Sequence, residues 1–496
     1  MKIIHKKILV RISPLRNGLA FFIFLSLLAA MTSCKPKFYE APGPGVATAG
    51  NADFTKYVAV GATASAGFMD NALYTEGQNN SFPNLIAQKL KEVNPSLSFV
   101  QPDINSVNGF SGTSGKGRYL LVMPACTTVS ISGSAQPGET GILPYSGTQS
   151  AITNLSVPFI RTANINTAAV SAGTNFNNPK PYYDRIVPVT TLGIASEAKQ
   201  RNASFFTVHL GEVDALRYAT SGGTTALVTT AVFQQNVSDL LDSLLAVPGS
   251  KGVIALVPYV DQFPVVTNNN RRLTSTTDPA KNPVRFPNQT YADSLNTLIG
   301  VPGLFSGTTG NKNNFAIQTT AGIRQLSTSK DFIVRSNLLD SVGIGQIDPK
   351  SVRNCTANTN SRTGRGFNAP ILNADVLDAS EVTALRTQID AYNAAIRTVV
   401  NAKNSAGVRV AIVDLNNFYT KLTDPLYGIK YGSSIIRTNH PSLGPDFGGF
   451  FSLDRTNPTP KGQALLANEF IKVINATWNA TLNLYNPDDF RANPIP

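Results

Sequence analysis

Two short segments of this 496-residue chain carry side chains that could take part in acyl transfer. Thr63 and Ser65 follow an apolar run and offer hydroxyl groups, while Asp454 and Asn457 lie near the carboxyl end of the chain. A hydroxyl becomes a useful nucleophile only when a proton acceptor lies within hydrogen-bond reach, commonly oriented by a carboxylate. Because an amide has no basic lone pair, Asn457 cannot serve as that acceptor. These residue types therefore supply possible nucleophiles without an evident base.

The segment Tyr57–Gly67 resembles the first block of the SGNH (GDSL-type) ester hydrolases, in which a buried strand is followed by Gly-Asp-Ser-Leu. In this alignment Gly61 matches the glycine, Ala62 stands at the aspartate, and Thr63 stands at the nucleophilic serine. Ser65 lies two positions further on, inside the first helical turn, where it is expected to cap the helix or to pack. The resemblance implies a hydrolase scaffold with an altered nucleophile.

Two later blocks extend the resemblance and depart from it in a similar way. The family has Gly-x-Asn-Asp after its third strand; Gly211 and Asp214 match, but Val213 replaces the asparagine that donates to the oxyanion hole. Losing one such donor costs about 3–4 kcal/mol of transition-state stabilisation. The family pattern Asp-x-x-His-Pro is matched by Asp454, with Asn457 at the histidine. The resemblance thus implies losses at the nucleophile, the base and one oxyanion donor together.

The family also carries an oxyanion-hole glycine after its second strand, and three glycines are candidates here: Gly112, Gly115 and Gly117. A glycine-rich loop of this kind is often only a loop. The turn Gly61–Gly67 has neither the Gly-Lys-Ser/Thr of a phosphate-binding loop nor the Gly-x-Gly-x-x-Gly of a dinucleotide fold. The sequence therefore predicts no cofactor.

Other titratable residues could replace the missing groups, but each has a structural interpretation. His209 ends an apolar strand and His440 lies in a polar loop, positions where a lone histidine is usually a satisfied structural group. Glu212 and Asp214 could form a carboxylate pair, although acidic residues at a helix start more often stabilise that end of the helix. None of them is predicted to restore the reaction.

Residues 1–33 are predicted to be a lipoprotein signal peptide. Five basic residues precede the apolar run Leu19–Ala30, which is too short to span a bilayer. The run ends in small residues before Cys34, which predicts cleavage there and acylation of Cys34 as the anchor in the bilayer. An ordinary signal peptide with an incidental cysteine is the alternative. Because Lys35, rather than an aspartate, follows the cysteine, the outer membrane is favoured.

Charge and cysteine content narrow the possible partners. Removal of the signal peptide lowers the formal net charge of +12 by five, to +7, and the remaining basic residues are scattered. Such a spread charge indicates solubility rather than nucleic-acid binding. Cys126 and Cys355 could form a disulfide in an oxidising compartment, although sequence alone leaves their approach open. Neither cysteine has a second ligand at metal-binding spacing, so no metal site is predicted.

The pattern of apolar runs predicts an α/β protein with three layers, in which helices cover both faces of a parallel, flavodoxin-like sheet of about five strands. Ligand sites in such sheets form at the carboxyl ends of the strands. The predicted strands are Tyr57–Gly61, Leu97–Gln101, Ser204–Leu210, Gly252–Pro258 and Val408–Leu415. The predicted helices are Phe82–Val93, Thr230–Leu245, Ser380–Lys403 and Pro460–Ala476.

Composition divides the mature chain into a tether, one domain and a tail. Residues 34–52 are rich in proline and glycine, and residues 53–480 form the SGNH-like domain. Two polar, loop-rich insertions near 105–200 and 262–378 leave the carboxyl ends of predicted strands, so they should build over the site. Residues 481–496 form a tail.

These features predict a membrane-anchored envelope lipoprotein that binds or scaffolds and has a degenerate catalytic triad. Its ligand would be a glycan, a lipid or acyl ester, or an outer-membrane protein. The alternative is an active, lipase-like esterase or acylhydrolase that uses Thr63 or Ser65. A third possibility is an accessory subunit of an outer-membrane channel.

Overall fold

The computed structural model describes most of the chain beyond the predicted tether. Six residues that the sequence singled out lie outside the described part: Cys34, Gly112, Gly115, Cys126, Cys355 and His440. The described residues are 45–110, 117–122, 130–132, 142–167, 170, 178–187, 193–267, 288–308, 313–327, 329–334, 370–423, 429–431, 434–436 and 449–493.

Strands and helices alternate through the first part of the chain and again near its end. The strands are β1 (Tyr57–Gly61), β2 (Leu120–Val122), β3 (Ser130–Ser132), β4 (Phe205–His209), β5 (Lys251–Ala255), β6 (Ala316–Thr319), β7 (Gly322–Gln325), β8 (Phe332–Ile333), β9 (Val376–Leu377), β10 (Val410–Val413), β11 (Ile429–Tyr431) and β12 (Ser434–Ile436). The helices are α1 (Thr75–Asn79), α2 (Phe82–Val93), α3 (Lys180–Ile186), α4 (Ile194–Gln200), α5 (Glu212–Thr220), α6 (Thr230–Leu244), α7 (Gln289–Ile299), α8 (Ala379–Lys403), α9 (Leu415–Thr423) and α10 (Pro460–Trp478).

A four-stranded parallel sheet in the order β1-β4-β5-β10 forms the centre of the fold. Every residue of β1 and β4 is buried, as expected for strands covered on both faces. Four of the five predicted strands are therefore confirmed. The other strands form two-stranded antiparallel pairs outside this sheet.

The second predicted strand, Leu97–Gln101, is not a strand in the structure. Residues 153–157 lie beside β1 instead. Ala59 N–H donates to the Thr153 carbonyl at 2.9 Å, and Leu155 N–H donates to the Ala59 carbonyl at 2.8 Å. The run at 97–101 packs without forming a strand: Phe99 stacks on Tyr57 with ring centroids 5.1 Å apart, and the Val100 carbonyl accepts from the N–H groups of Thr153 and Asn154. A short apolar run does not distinguish these two kinds of burial.

Helices pack in two groups, which is consistent with a three-layer α/β/α fold. In one group α6 packs against α4 and α8, and Phe233 stacks on Tyr392 at 4.1 Å. In the other, α2 packs against α10 through Phe82 and Phe470, whose rings stack at 5.0 Å. The described part of the chain contains no helix long and apolar enough to cross a bilayer.

The second insertion contains regular structure and an apolar cluster of its own. Helix α7 and the β6–β7 hairpin contribute Leu295 and Ile317 to this cluster, and both side chains are fully buried. Arg324 donates two hydrogen bonds, of 2.6 and 2.7 Å, to the buried carboxylate of Asp331. The polar composition of this segment concealed a second apolar cluster.

Candidate functional site

The candidate site begins in the tight turn that follows β1. Ala66 N–H donates to the Ala62 carbonyl at 3.0 Å, so the chain turns immediately after the strand. A Cβ at Gly61 would lie 2.2 Å from Ser65 Oγ, a distance at which a side chain does not fit. Gly61 is therefore required because Ser65 packs directly over its backbone.

Thr63, at the nucleophile position, is buried in this turn and has a defined partner. Its Oγ1 accepts a hydrogen bond of 3.0 Å from the backbone N–H of Phe159. An oxyanion hole presents backbone N–H donors to a substrate oxygen. Here the Thr63 hydroxyl oxygen itself accepts the hydrogen bond of such a donor.

Phe159 is a residue of the candidate site that sequence reasoning missed. The segment 153–157 carries it to the carboxyl end of β1, where its backbone adopts φ +64°. A bulky residue in this left-handed region is a true outlier, with strain of about 1–3 kcal/mol. Its ring packs edge-on against Phe68 at 4.9 Å, and its carbonyl accepts from Arg217. Composition gives no signal for such a residue, because pairing with β1 places it there.

The oxyanion-hole glycine stays a prediction, because Gly112 and Gly115 lie outside the described residues. The chain just after Gly117 lies against the loop at Asp70, with Tyr119 N–H donating to the Asp70 carbonyl at 2.7 Å.

Asp214 anchors the loop that carries Phe159. Its fully buried carboxylate accepts from Arg161 Nε at 3.0 Å and from the backbone N–H of Thr162 at 2.9 Å. Asp214 lies in the first turn of α5, which begins after Gly211 in a left-handed conformation with φ +92°. Val213 is buried in the same turn. Asp214 therefore helps to position the backbone N–H of Phe159 and is not itself a reacting group.

Asp454 and Asn457 form a closed hydrogen-bonded pair. Asp454 accepts from Asn457 Nδ2 at 3.0 Å and from the backbone N–H groups of Asn457 and Thr456, each at 2.8 Å. The backbone N–H of Asn71 donates to the same carboxylate at 3.2 Å. Asn457 Oδ1 is buried and has no hydrogen-bond partner among the described residues. Asn457 thus presents one unpaired acceptor where the family has a base.

Burial raises the pKa of Asp454, against the lowering effect of the hydrogen bonds from Asn457 and Thr456, and the nearby Asp70 carboxylate raises it further. Burial also raises the pKa of Asp70, whose carboxylate accepts from Tyr74 Oη at 2.7 Å. Two carboxyl groups with raised pKa values therefore lie together where the two loops meet. Such shifts mark either a functional site or a structural network.

The turn after β1 and the segment around Asn457 are neighbours. Asp70 N–H donates to Ser452 Oγ at 2.9 Å, and Gln463 Nε2 donates to the Ala64 carbonyl at 2.9 Å. Thr63 and Asn457 thus lie on adjoining loops, but Thr63 is held by Phe159 and Asn457 by Asp454. The turn that carries Thr63 and the segment that carries Asn457 therefore lie against each other.

A second constellation lies beneath this site. Ser65 Oγ is 3.3 Å from His209 Nδ1, and His209 Nε2 is 3.3 Å from Glu212 Oε2, although the latter pair is not aligned as a hydrogen bond. The order hydroxyl, imidazole, carboxylate is that of a catalytic triad. Ser65 is only 1% exposed, and its hydroxyl faces Gly61. Within the described residues, no group of three or more His, Cys, Asp and Glu could hold a metal.

Comparisons with family models, with curated proteins and with solved structures found no match. Fold and site together define an α/β protein with a parallel central sheet and a buried polar site at the carboxyl ends of its strands.

Proposed function

We propose that this protein is a lipid-anchored envelope protein of SGNH-like architecture that binds its ligand without hydrolysing it. The observation that carries the proposal is the state of Asn457. Its Nδ2 is held by Asp454, and its Oδ1 is a buried acceptor for which the described part of the chain provides no partner. A general base has been replaced by an amide that can hydrogen-bond a ligand but cannot accept a proton at neutral pH.

The environment of Thr63 supports the same function. Its hydroxyl oxygen already accepts the Phe159 N–H, the donor best placed to hold a substrate oxygen. The one histidine among the described residues, His209, contacts Ser65 instead. A threonine hydroxyl without an adjacent base is a weak nucleophile.

The unpaired Asn457 Oδ1 indicates what the ligand should offer. A buried acceptor without a partner is unfavourable by about 1–3 kcal/mol, and a ligand O–H or N–H would relieve this. Glycan hydroxyls and peptide amides supply such donors, whereas an acyl ester carbonyl does not. The proposed ligand is therefore rich in hydroxyl or amide donors.

A serine-directed fluorophosphonate and a short-chain aryl ester test the absence of hydrolysis. We expect neither labelling nor turnover above background for the wild-type protein. Turnover that is abolished by Thr63→Ala alone would overturn the proposal in favour of an unusual threonine nucleophile.

A second candidate function, ester hydrolysis by Ser65, is favoured by the Ser65–His209–Glu212 arrangement alone. Because Ser65 is buried against Gly61, this activity would require the turn after β1 to open. Labelling that is lost in Ser65→Ala but kept in Thr63→Ala would identify this function. Labelling that survives both substitutions would indicate a different site.

A further inference from the structure

The chain enters the domain through a segment that is fixed to the end of α10. Asn51 N–H donates to the Trp478 carbonyl at 2.7 Å, and Thr481 N–H donates to the Thr48 carbonyl at 3.1 Å. A Cβ at Gly50 would lie 2.1 Å from the Trp478 carbonyl oxygen, so the two backbones are in close contact. Residues 48–51 are therefore attached to the chain at the carboxyl end of α10, and this contact is called the attachment point.

This attachment point lies at the amino ends of the strands. Ser204, just before β4, donates from Oγ to the Asp53 carbonyl at 3.0 Å. Lys251, the first residue of β5, donates from Nζ to the Asn51 carbonyl. Since all four central strands are parallel, their carboxyl ends, which carry the candidate site, lie at the opposite edge of the sheet.

The segment between Cys34 and Gly45 is too short to let the carboxyl ends of the strands face a membrane that holds Cys34. Cys34 and Gly45 are eleven residues apart, which gives a reach of at most about 40 Å when fully extended. A compact domain of roughly 450 residues has a radius of gyration of about 22 Å, which corresponds to a globule about 58 Å across. A chain anchored at Cys34 therefore cannot pass around the domain and bring the candidate site to the bilayer.

We propose that the domain is mounted with the amino ends of its strands toward the membrane, so that the candidate site faces away from the anchoring leaflet. The inference rests on the proposed lipid anchor at Cys34. It deepens the proposed function, because the site then takes a hydroxyl- or amide-bearing ligand from the aqueous side. Lipids of the anchoring membrane are out of its reach.

Tryptophan fluorescence can measure this orientation, because the chain contains one tryptophan, Trp478, at the membrane-facing edge. The acylated full-length protein is reconstituted in vesicles that contain a dansyl-labelled lipid, and energy transfer from tryptophan is recorded. Two variants in a Trp478→Phe background move the donor: Val408→Trp precedes β10 at the amino edge, and Val107→Trp lies on the site side. These valines are 56% and 73% exposed, so neither substitution disturbs the core.

Val107 is placed on the site side by its neighbour Ser106, whose carbonyl accepts from Thr75 N–H at 2.9 Å in the chain that follows the turn after β1. We expect severalfold greater transfer from Trp478 and from the Val408→Trp variant than from the Val107→Trp variant. Equal transfer, or greater transfer from Val107→Trp, would overturn the inference. Failure of the wild-type protein to bind vesicles would instead refute the lipid anchor, so the two failures are distinguishable.

Discussion

At the scale of single residues, Thr63 and Asn457 each have a fixed hydrogen-bond partner. Thr63 accepts a backbone N–H, and Asn457 is bound to Asp454 much as a catalytic histidine would be bound to its carboxylate. What an imidazole adds is a basic lone pair, and an amide cannot supply one. Under the proposed function, the amide of Asn457 therefore leaves the site without the base that hydrolysis would need.

Replacing Thr63 by valine should lower the free energy of unfolding by about 1 kcal/mol, because the Phe159 N–H loses its acceptor while the side-chain shape is kept. Urea unfolding measures the change. Thr63→Ser retains the hydroxyl and serves as the control, with stability closer to that of the wild type. Equal stability of the valine variant and the wild type would show that the bond contributes nothing.

The stability of the protein should fall as pH rises through the raised pKa of Asp454. Burial raises this pKa above the ordinary value of 3.8, so the folded protein binds the proton more tightly than the unfolded chain does. This contribution is fully present below the ordinary value and is lost as pH rises through the raised pKa. Asp454→Asn should flatten the pH dependence, by up to about 1.4 kcal/mol per pH unit. Identical slopes for variant and wild type in urea unfolding would contradict this.

Restoring the three altered positions together should create some ester hydrolysis. In Thr63→Ser/Val213→Asn/Asn457→His the serine would have a base next to Asp454 and a second oxyanion donor. Each single restoration should give no turnover, because members of a triad act as a unit. Initial rates with an aryl ester measure the effect, and the Thr63→Ala version of the same variant is the control. Turnover that persists in this control would not arise at residue 63.

At the scale of secondary-structure elements, the site depends on contacts that fix the loop with Phe159 and the start of helix α5. The loop with Phe159 is fixed by residues 153–157 on β1 and by Asp214 in α5. Helix α5 in turn begins directly after Gly211, whose left-handed backbone turns the chain soon after β4. The strained φ of Phe159 persists because the surrounding contacts over-determine it.

Gly211→Ala should therefore be strongly destabilising. The new Cβ would lie 2.6 Å from Val257 Cγ2 in a backbone with φ +92°, so strain and overpacking combine to roughly 2–5 kcal/mol. Gly249→Ala is the matched control, since Gly249 has φ +82° and no atom within 4 Å of its added Cβ. The control should lose only the backbone term, about 1–2 kcal/mol. Equal losses in thermal or urea unfolding would show that the contact with Val257 relaxes freely.

At the scale of the whole molecule, the parallel sheet separates the point of attachment from the candidate site. Residues 45–53 meet the amino ends of β4 and β5, whereas Thr63, Gly211 and their partners follow the carboxyl ends of β1 and β4. Because the strands are parallel, the segment 45–53 and the candidate site lie at opposite edges of the sheet. If Cys34 is acylated as proposed, this topology sets the direction in which the candidate site faces.

Cys34→Ala should release the protein from the membrane fraction, because the apolar run before Cys34 is too short to anchor the chain by itself. Metabolic labelling with palmitate and fractionation of the wild type and the variant measure this. Wild-type protein that carries no label and is recovered free of membrane would refute the lipid anchor.

The sequence by itself determined the α/β class, four parallel strands and the residue identities at Thr63, Val213 and Asn457. Continuous apolar runs and residue identities are local, so they can be recognised without a structure. Only the tertiary structure placed residues 153–157 on β1, Phe159 at the Thr63 hydroxyl and Ser65 beside His209. These contacts join residues about 90 to 145 positions apart, and they depend on strand pairing and packing that no local pattern encodes.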